Sequence, residues 1–464
     1  MCSLNVDKNF NRIKISVFDI LFFGYCIIFA VLMKQSSTVV IYGAIAGLFI
    51  VSLFVSYVNP FYLLVLLVLF MTNFMGFVPS KVGDIQIGKF TIIILIDSYM
   101  LWALHKFKSP KISRSYITFI VLTLFLIAFG SIMAAFKIEQ SILMGIVYQQ
   151  RILLLLALVP LCYLLSKDGF FEKFESFLII YTTIFSVILI LQVLLVDSFV
   201  FLQIDKSFER LGKIRISIGF QIQIVTVFLL ISKILKKFKL TYLFELLLIV
   251  YCLVFIYQGR MALLGLVVGA FILFAFNCDF KNKYKLMGFI AFLVFFFICL
   301  IVFRNQLFDL FTLTQDEFEN DSGSYGARIG EFEFYTSQVD KWQYVLFGRG
   351  YISPKTPGGE ELDTLYNYYS LTDIGVTGLY VTNGIFGIIW WIVAHFVLLF
   401  DIKKLRGYGD SAGLSIGYLA FSISTCYTLL NFYYSANVLL LILILNHTHI
   451  KELERKELLS LWKE

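Results

Sequence analysis

Charged residues are scarce in this chain: Asp, Glu, Lys and Arg make up 15% of its 464 residues, whereas hydrophobic residues make up 59%. A soluble domain carries about 25% charged residues because water must solvate its surface. The shortage therefore excludes an ordinary soluble domain and predicts an integral membrane protein. The formal net charge of +7 is then a feature of membrane topology and indicates no nucleic-acid partner.

Residue patterns typical of metal, nucleotide or serine chemistry are also missing. The four histidines lie outside the long polar segment described below, and the seven cysteines lack a metal-ligand spacing. Gly83 to Lys89 has the spacing of a phosphate loop, but Phe90 stands where Ser or Thr would bind Mg²⁺. Gly413 to Gly417 fits G-x-S-x-G but opens an apolar run, which predicts close helix packing through small residues. We therefore expect neither a metal nor a cofactor.

Long apolar runs fill most of the chain and predict an all-α polytopic membrane protein. About 20 apolar residues cross a bilayer as a helix, and a helix satisfies its own backbone hydrogen bonds in lipid. The division into spans within 241–277 and 411–448 stays open. About 14 transmembrane helices are predicted, at 17–33, 38–58, 60–79, 90–105, 115–136, 142–165, 175–197, 216–234, 241–257, 260–277, 286–303, 375–400, 411–430 and 432–448.

Lysine and arginine cluster in connections that all fall on one side of the membrane if the N-terminus is cytoplasmic. This pattern is the positive-inside distribution, and it predicts that both termini are cytoplasmic. The chain then divides into four parts: 1–303 with helices 1–11, 304–374 as one large extracytoplasmic loop, 375–448 with helices 12–14, and 449–464 as a cytoplasmic tail.

The outer loop is unusual in length and charge, because its polar interval Arg304–Asp373 spans 70 residues with twelve acids and five bases. Long loops in compact proteins are usually functional or disordered. Apolar residues recur in it every three or four positions and predict an interfacial helix followed by an irregular lid. That apolar face consists of Ile329, Phe332, Tyr335, Val339, Trp342 and Leu346, and the candidate N-caps are Asp321, Ser322 and Ser324.

Several arginines are predicted to lie at or near the outer side. Arginine is costly in a bilayer, and its planar guanidinium suits two-point contact with phosphate, so the set predicts a site for a diphosphate lipid. Simpler roles stay open: Arg151 could pair with a carboxylate, Arg260 could reach the interface, and Arg328 could pair with Glu331. The predicted site residues are Arg260 and Arg328 as catalytic residues, and Arg151, Arg210, Arg215 and Arg349 as substrate-binding residues.

Acid–base chemistry on the outer side must fall to other groups, since no histidine is available there. Asp363 and Asp373 are the carboxylates nearest the return into the membrane. A solvated loop carboxylate is the simpler interpretation of Asp363, so we predict that Asp373 is the third catalytic residue.

Short motifs recur in order along the second half of the chain. They are Gly259–Leu263 opening an apolar run, Ser324–Arg328 and Leu346–Gly350 in the loop, then Thr372–Gly378 and Asn383–Gly387 at the return into the membrane. From about residue 210 to residue 391 the chain thereby resembles bacterial O-antigen ligases and Wzy-type polysaccharide polymerases.

This resemblance implies a GT-C-like glycosyltransferase of the bacterial inner membrane, with its active site on the outer face and no need for a metal or nucleotide. Its implied partners are undecaprenyl-diphosphate-linked oligosaccharide repeat units and membrane lipid, with a chain-length regulator as a further candidate. Ligases of the family carry a histidine shortly before the return segment, and Asp363–Tyr368 contains none.

The missing histidine favours a polymerase, which transfers a growing glycan from undecaprenyl diphosphate to a new lipid-linked repeat unit. An O-antigen ligase is one alternative. A polytopic transporter or flippase of lipid-linked sugars is another, although the chain has only six prolines and no evident repeat between its halves.

Overall fold

The computed structural model is built mainly of helices. It describes residues 16–461 except 35–36, 83–84, 167–169, 204–208, 211–212, 278–289, 291–293, 295–300, 302–303, 321–322, 354–355, 357, 360–361, 363–369, 406–409 and 429–434. Two short antiparallel hairpins join β1 (Lys81–Val82) to β2 (Ile85–Gln86) and β3 (Glu209–Arg210) to β4 (Lys213–Ile214).

The helices before the long loop are α1 (Val17–Leu32), α2 (Thr38–Val58), α3 (Phe61–Met71), α4 (Thr91–Leu104), α5 (Arg114–Ile138), α6 (Ile142–Tyr148), α7 (Gln150–Leu153), α8 (Leu158–Leu164), α9 (Phe170–Leu195), α10 (Phe220–Lys236), α11 (Leu240–Tyr251) and α12 (Arg260–Asn277). Those that follow are α13 (Arg304–Glu319), α14 (Gly323–Thr336), α15 (Trp342–Phe347), α16 (Gly375–Lys404), α17 (Asp410–Thr425) and α18 (Ser435–Leu461).

Length and hydropathy mark a multi-pass membrane protein. Among the described residues, six helices are long and apolar enough to cross a bilayer: α2, α5, α9, α11 with its π-helical extension to Tyr257, α12 and α16. The pair Ile142–Tyr148 and Gln150–Leu164 is bent by 70° at its break, as in a broken span or a re-entrant loop. Because other apolar helices are shorter and 286–303 lies mostly outside the described residues, the count of fourteen stays a prediction.

Two predicted spans differ from the structure in an informative way. The span at 60–79 ends as a helix at Met71, because Asn73, Phe74 and Met75 all adopt positive φ angles. The span at 142–165 is interrupted at Gln149, whose side-chain amide instead donates to backbone and side-chain oxygens around it. Both interruptions occur where chain segments reach the cavity described below.

Three helical segments form the centre of the bundle. Residues 62–70 of α3, 220–232 of α10 and 436–445 of α18 are buried on every side. A helical segment that is buried all round belongs in the interior of the bundle. Outer helices such as α1, α2 and α9 instead expose large apolar side chains, as expected of surfaces in contact with lipid.

Small residues bring α12 and α17 into close contact, as Gly413–Gly417 predicted. A Cβ atom added at Gly269 would lie 2.6 Å from the carbonyl oxygen of Gly417, and one added at Gly413 would lie 3.0 Å from Nδ2 of Asn277 on α12. The packing holds the start of α12, where Arg260 lies, in a fixed position.

The long loop contains three helices where one was predicted. Ile329, Phe332 and Tyr335 lie on α14 and Trp342 lies on α15, with a break between the two helices. The break occurs where Nζ of Lys137 donates to the carbonyl oxygen of Gln338 at 3.1 Å. The helix α13 was not predicted, although Phe308, Phe311 and Phe318 recur at helical spacing in its sequence.

Residues 348–353 are irregular, as predicted, but they are not an exposed lid, because Arg349, Tyr351 and Ser353 are buried. The backbone N–H groups of Arg349 and Gly350 donate to the carbonyl oxygens of Val381 at 2.8 Å and Thr382 at 3.0 Å. This segment is therefore part of the bundle.

Candidate functional site

A cavity of about 990 Å³ lies at the end of the bundle that carries the long loop, called here the loop side. Its walls are formed by the ends of α3, α11 and α17 and by the starts of α4, α10, α12, α16 and α18, with α13 and α14 completing them. Helix ends expose backbone groups and polar residues, so this position concentrates polar chemistry beside an apolar bundle.

Positive charge exceeds negative charge on the described lining. The cationic side chains are Lys81, Arg151, Arg215, Arg260 and Arg328, and the carboxylates are Glu317, Glu333 and Asp373. A cavity with this balance, partly shielded from water, favours an anionic ligand.

Arg215 is held by the chain reversal between α11 and α12. Its Nε donates to the carbonyl oxygen of Tyr257 at 2.8 Å, and its guanidinium lies 5.1 Å from the centre of that ring. The Tyr257 ring in turn stacks on Phe220 at 4.3 Å. Gly259 is required here, because a Cβ atom would lie 2.1 Å from the Tyr257 ring.

Arg260 links α12 to the long loop. Its Nη1 donates to Oγ1 of Thr314 at 2.8 Å, and its Nη2 donates to Oε2 of Glu317 and to Oγ of Ser324, both at 2.6 Å. Oγ of Ser324 also donates to Oε2 of Glu317 at 2.8 Å. Ser324 is thus engaged in this cluster and is not the N-cap that the sequence predicted, whereas Asp321 and Ser322 lie outside the described residues.

Arg328 on α14 and Asp373, two residues before the start of α16, both line the cavity. Arg328 and Arg215 both stabilise the charged form of the Asp373 carboxylate. The Nε of Arg328 is buried without a hydrogen-bond partner in the part of the chain that the structure describes. A buried unsatisfied donor is costly and rare, so this guanidinium is suited to receive an anion.

Burial raises the pKa of two carboxyl groups beside Arg328. The pKa of Glu331 rises to about 7 because its side chain is buried, and the nearby Asp373 adds to the rise while Arg328 opposes it. The pKa of Asp373 is also raised by desolvation, against the effect of Arg328. Asp373 is exposed on the side that faces the cavity. Protein surrounds the rest of its carboxyl group, and this desolvation raises the pKa.

The break between α6 and α7 brings Arg151 to the cavity. Gln149 ends α6, and the chain turns by 70° before Gln150–Leu164 continues. Arg151 lies two residues after Gln149 and lines the cavity.

The structure gathers five of the seven predicted site residues in this cavity: Arg151, Arg215, Arg260, Arg328 and Asp373. Arg210 lies in β3, and its side chain is outside the described residues. Arg349 is fully buried with its guanidinium 5.4 Å from the centre of the Tyr335 ring, and it is not part of the cavity lining. The candidate Asp363 is outside the described residues.

Sequence reasoning missed three polar residues of this region, Lys81, Thr314 and Glu317, and it named Glu331 only as a possible partner of Arg328. Glu317 and Thr314 lie 57 and 54 positions from Arg260, so no local pattern connects them. The three-residue spacing of Thr314 and Glu317 on one helical face was the available signal. In the described part of the chain, no three His, Cys, Asp or Glu side chains converge as a metal site.

Comparison with known families gives one match. Residues 245–392, about a third of the chain, match the family model described as O-antigen ligase. The matched segment contains Arg260, Arg328 and Asp373, and it supports the O-antigen ligase superfamily without distinguishing a ligase from a polymerase. No curated protein and no solved structure matches the chain.

Proposed function

We propose that this chain is a membrane glycosyltransferase of GT-C-like architecture that moves a glycan from a polyprenyl-diphosphate carrier to an acceptor hydroxyl. The carrier we propose is undecaprenyl diphosphate, with chemistry on the outer face of a bacterial inner membrane. The observation that carries the proposal is the cavity on the loop side, where Arg328 and Arg215 flank Asp373. The O-antigen ligase match, which covers Arg328 and Asp373, adds support.

The chemistry is a displacement at the anomeric carbon. The acceptor oxygen forms a bond to that carbon as the bond to the diphosphate oxygen breaks, and the diphosphate lipid leaves with the bonding electron pair. The acceptor proton passes to the carboxylate of Asp373. Arg328 and Arg215 stabilise the charge that grows on the leaving diphosphate, an effect that is larger in the transition state than in the bound substrate.

The acceptor we propose is a second lipid-linked repeat unit, which makes the chain a polysaccharide polymerase. The support is the histidine-free outer loop in the sequence. An O-antigen ligase is the second candidate, because the description of the matching family is O-antigen ligase. The two differ only in the acceptor, and neither requires a nucleotide.

Purified protein in liposomes tests the proposal when it receives only lipid-linked repeat units isolated from its own organism. We expect a ladder of glycans that lengthen by one repeat unit. A single product that forms only after a different acceptor is added would identify a ligase. Movement of the lipid across the bilayer without any new glycosidic bond would contradict both candidates and identify a flippase.

A further inference from the structure

The guanidinium of Arg260 is largely engaged by the protein itself. Arginine has five N–H donors, and the two on Nη2 are donated to Glu317 and Ser324 while one on Nη1 is donated to Thr314. The ion pair with Glu317 is sheltered, with side-chain exposures of 16% for Arg260 and 11% for Glu317.

With these contacts, neither edge of the Arg260 guanidinium has two free N–H groups for a two-point contact with phosphate. A guanidinium makes two-point contact either through Nε and Nη2 or through Nη1 and Nη2. Both edges include Nη2, whose two hydrogens are already committed to Glu317 and Ser324. In this arrangement Arg260 could give an anion only separate single hydrogen bonds, and its charge is already balanced by a carboxylate.

The same contacts join three helices at the cavity. Arg260 begins α12, Thr314 and Glu317 lie on α13, and Ser324 lies in the first turn of α14. Ser324 and Arg328 are four positions apart on α14 and therefore share one face of that helix. The contact at Ser324 thus fixes the rotation of α14 that turns Arg328 toward the cavity.

We propose that Arg260 is a positioning residue and not a ligand of the diphosphate: with Glu317 and Ser324 it forms a latch that holds α13 and α14 over the cavity. The latch sets the position of Arg328, which contacts the substrate. The inference rests on the proposed function for the identity of the substrate, but the contact it describes exists without substrate.

Replacing Glu317 with glutamine distinguishes the two roles of Arg260. If the latch is correct, Glu317→Gln weakens the ion pair, and glycan transfer falls at least about tenfold, toward the level of Arg260→Ala. If Arg260 instead binds the diphosphate, removal of its competing carboxylate leaves transfer unchanged or raises it, and the latch is overturned. Transfer and binding of undecaprenyl diphosphate are measured for each variant.

A charge exchange, Arg260→Glu with Glu317→Arg, supplies the second test. Hydrogen–deuterium exchange of 304–336 without substrate reports whether the latch is closed. We expect lost protection in each single variant, and recovery of both protection and transfer in the double variant. Recovered protection without recovered transfer would mean that Arg260 itself contacts substrate, and unrecovered protection would mean that residues 260 and 317 are not coupled.

The matched control reverses the exposed pair Lys111 and Glu454, far from the loop, and should leave exchange and transfer unchanged. Failure of the proposed function has a separate outcome. The wild-type protein would then neither transfer glycan nor bind undecaprenyl diphosphate, while Glu317→Gln would still increase exchange in 304–336.

Discussion

The backbone N–H of Ser370 donates to Oε1 of Glu331 at 2.9 Å, which ties the end of the long loop to α14. The other oxygen of Glu331, Oε2, is buried without a hydrogen-bond partner among the described residues. A charged carboxylate with one open oxygen is poorly solvated there. The Glu331 carboxyl group therefore anchors the loop, and its buried position favours the protonated form of that carboxyl group.

Stability should depend on pH through Glu331. The folded protein holds this proton up to about pH 7, whereas the unfolded chain releases it near the ordinary value of 4.5. The free energy of unfolding therefore falls as pH rises between these values and levels off above about pH 7. We expect the thermal midpoint of wild-type protein relative to Glu331→Gln to be higher at about pH 5 than at about pH 8.

Intrinsic fluorescence of the detergent-solubilised protein measures that midpoint. Glu319→Gln, at an exposed position on α13, is the control and should track the wild type at every pH. An equal pH response in wild type and Glu331→Gln would show that Glu331 titrates at its ordinary pKa.

Loss of the Arg328 guanidinium should affect chemistry more than folding. Removal of one group that stabilises transition-state charge typically lowers turnover by about 10²–10³-fold. We expect a loss of that size for Arg328→Ala, and a smaller loss for Arg328→Lys, which keeps the charge without the planar fork. Glycan transfer by reconstituted protein measures both. Arg304→Ala, at an exposed position of the same loop, should remain active, and equal activity of Arg304→Ala and Arg328→Ala would remove Arg328 from the site.

Sequence could predict the helices of the bundle and much of the cavity lining for physical reasons. A backbone in lipid has few ways to satisfy its hydrogen bonds, so apolar runs such as Thr38–Val58 have the same bounds in sequence and structure. Arginines near a bilayer need polar surroundings, so Arg151, Arg215, Arg260 and Arg328 line a common cavity.

Tertiary packing decided what the sequence could not show. Gly348–Arg349–Gly350 was predicted to belong to an irregular lid with a substrate-binding arginine, yet its backbone pairs with the kinked part of α16 and Arg349 is buried. Glu331 is one of twelve acids in the loop; its spacing from Arg328 suggested an ion pair, but no local pattern predicted that its side chain is buried. The partners of Arg260 are separated from it by more than 50 positions, so only the folded chain reveals them.

Asp373→Asn should separate proton transfer from binding. The variant keeps the shape of the side chain but cannot take the proton from the acceptor hydroxyl. A general base contributes about 10²–10⁴-fold to turnover. We expect turnover to fall within that range. Binding of undecaprenyl diphosphate should be retained or strengthened, because a negative charge beside Arg328 and Arg215 is lost.

The pH profile provides an independent measure of the same base. Wild-type turnover should rise with pH as Asp373 ionises. Because burial raises the pKa of Asp373, this rise should occur at a higher pH than the ordinary pKa of an aspartate would give. Asp373→Asn should not show this rise. Asp316→Asn, exposed on α13, is the control. Full turnover of Asp373→Asn would assign the base elsewhere.

Thiol labelling should establish the sidedness of the cavity. Cysteine placed at the exposed Lys341 of the loop side should react in intact cells with a membrane-impermeant maleimide, whereas cysteine at the exposed Lys108 should react only after permeabilisation. The unmodified chain gives the background from native thiols, of which Cys26, Cys162 and Cys252 are buried. Labelling of Lys108→Cys alone in intact cells would invert the proposed topology.

Gly384, within α16, should tolerate substitution poorly. It adopts a φ of 63° and a ψ of −157° within the helix, a backbone conformation that costs a residue with a side chain about 1–3 kcal/mol. A Cβ atom there would also lie 2.3 Å from the carbonyl carbon of Leu346. We expect Gly384→Ala to lower the thermal midpoint and to release the contact between α15 and α16.

Gly43→Ala, in α2 with open space around the added methyl group, should be neutral or slightly stabilising, because alanine favours a helix over glycine. Equal midpoints for the two variants would mean that the kink at Gly384 relaxes into a regular helix without loss of packing.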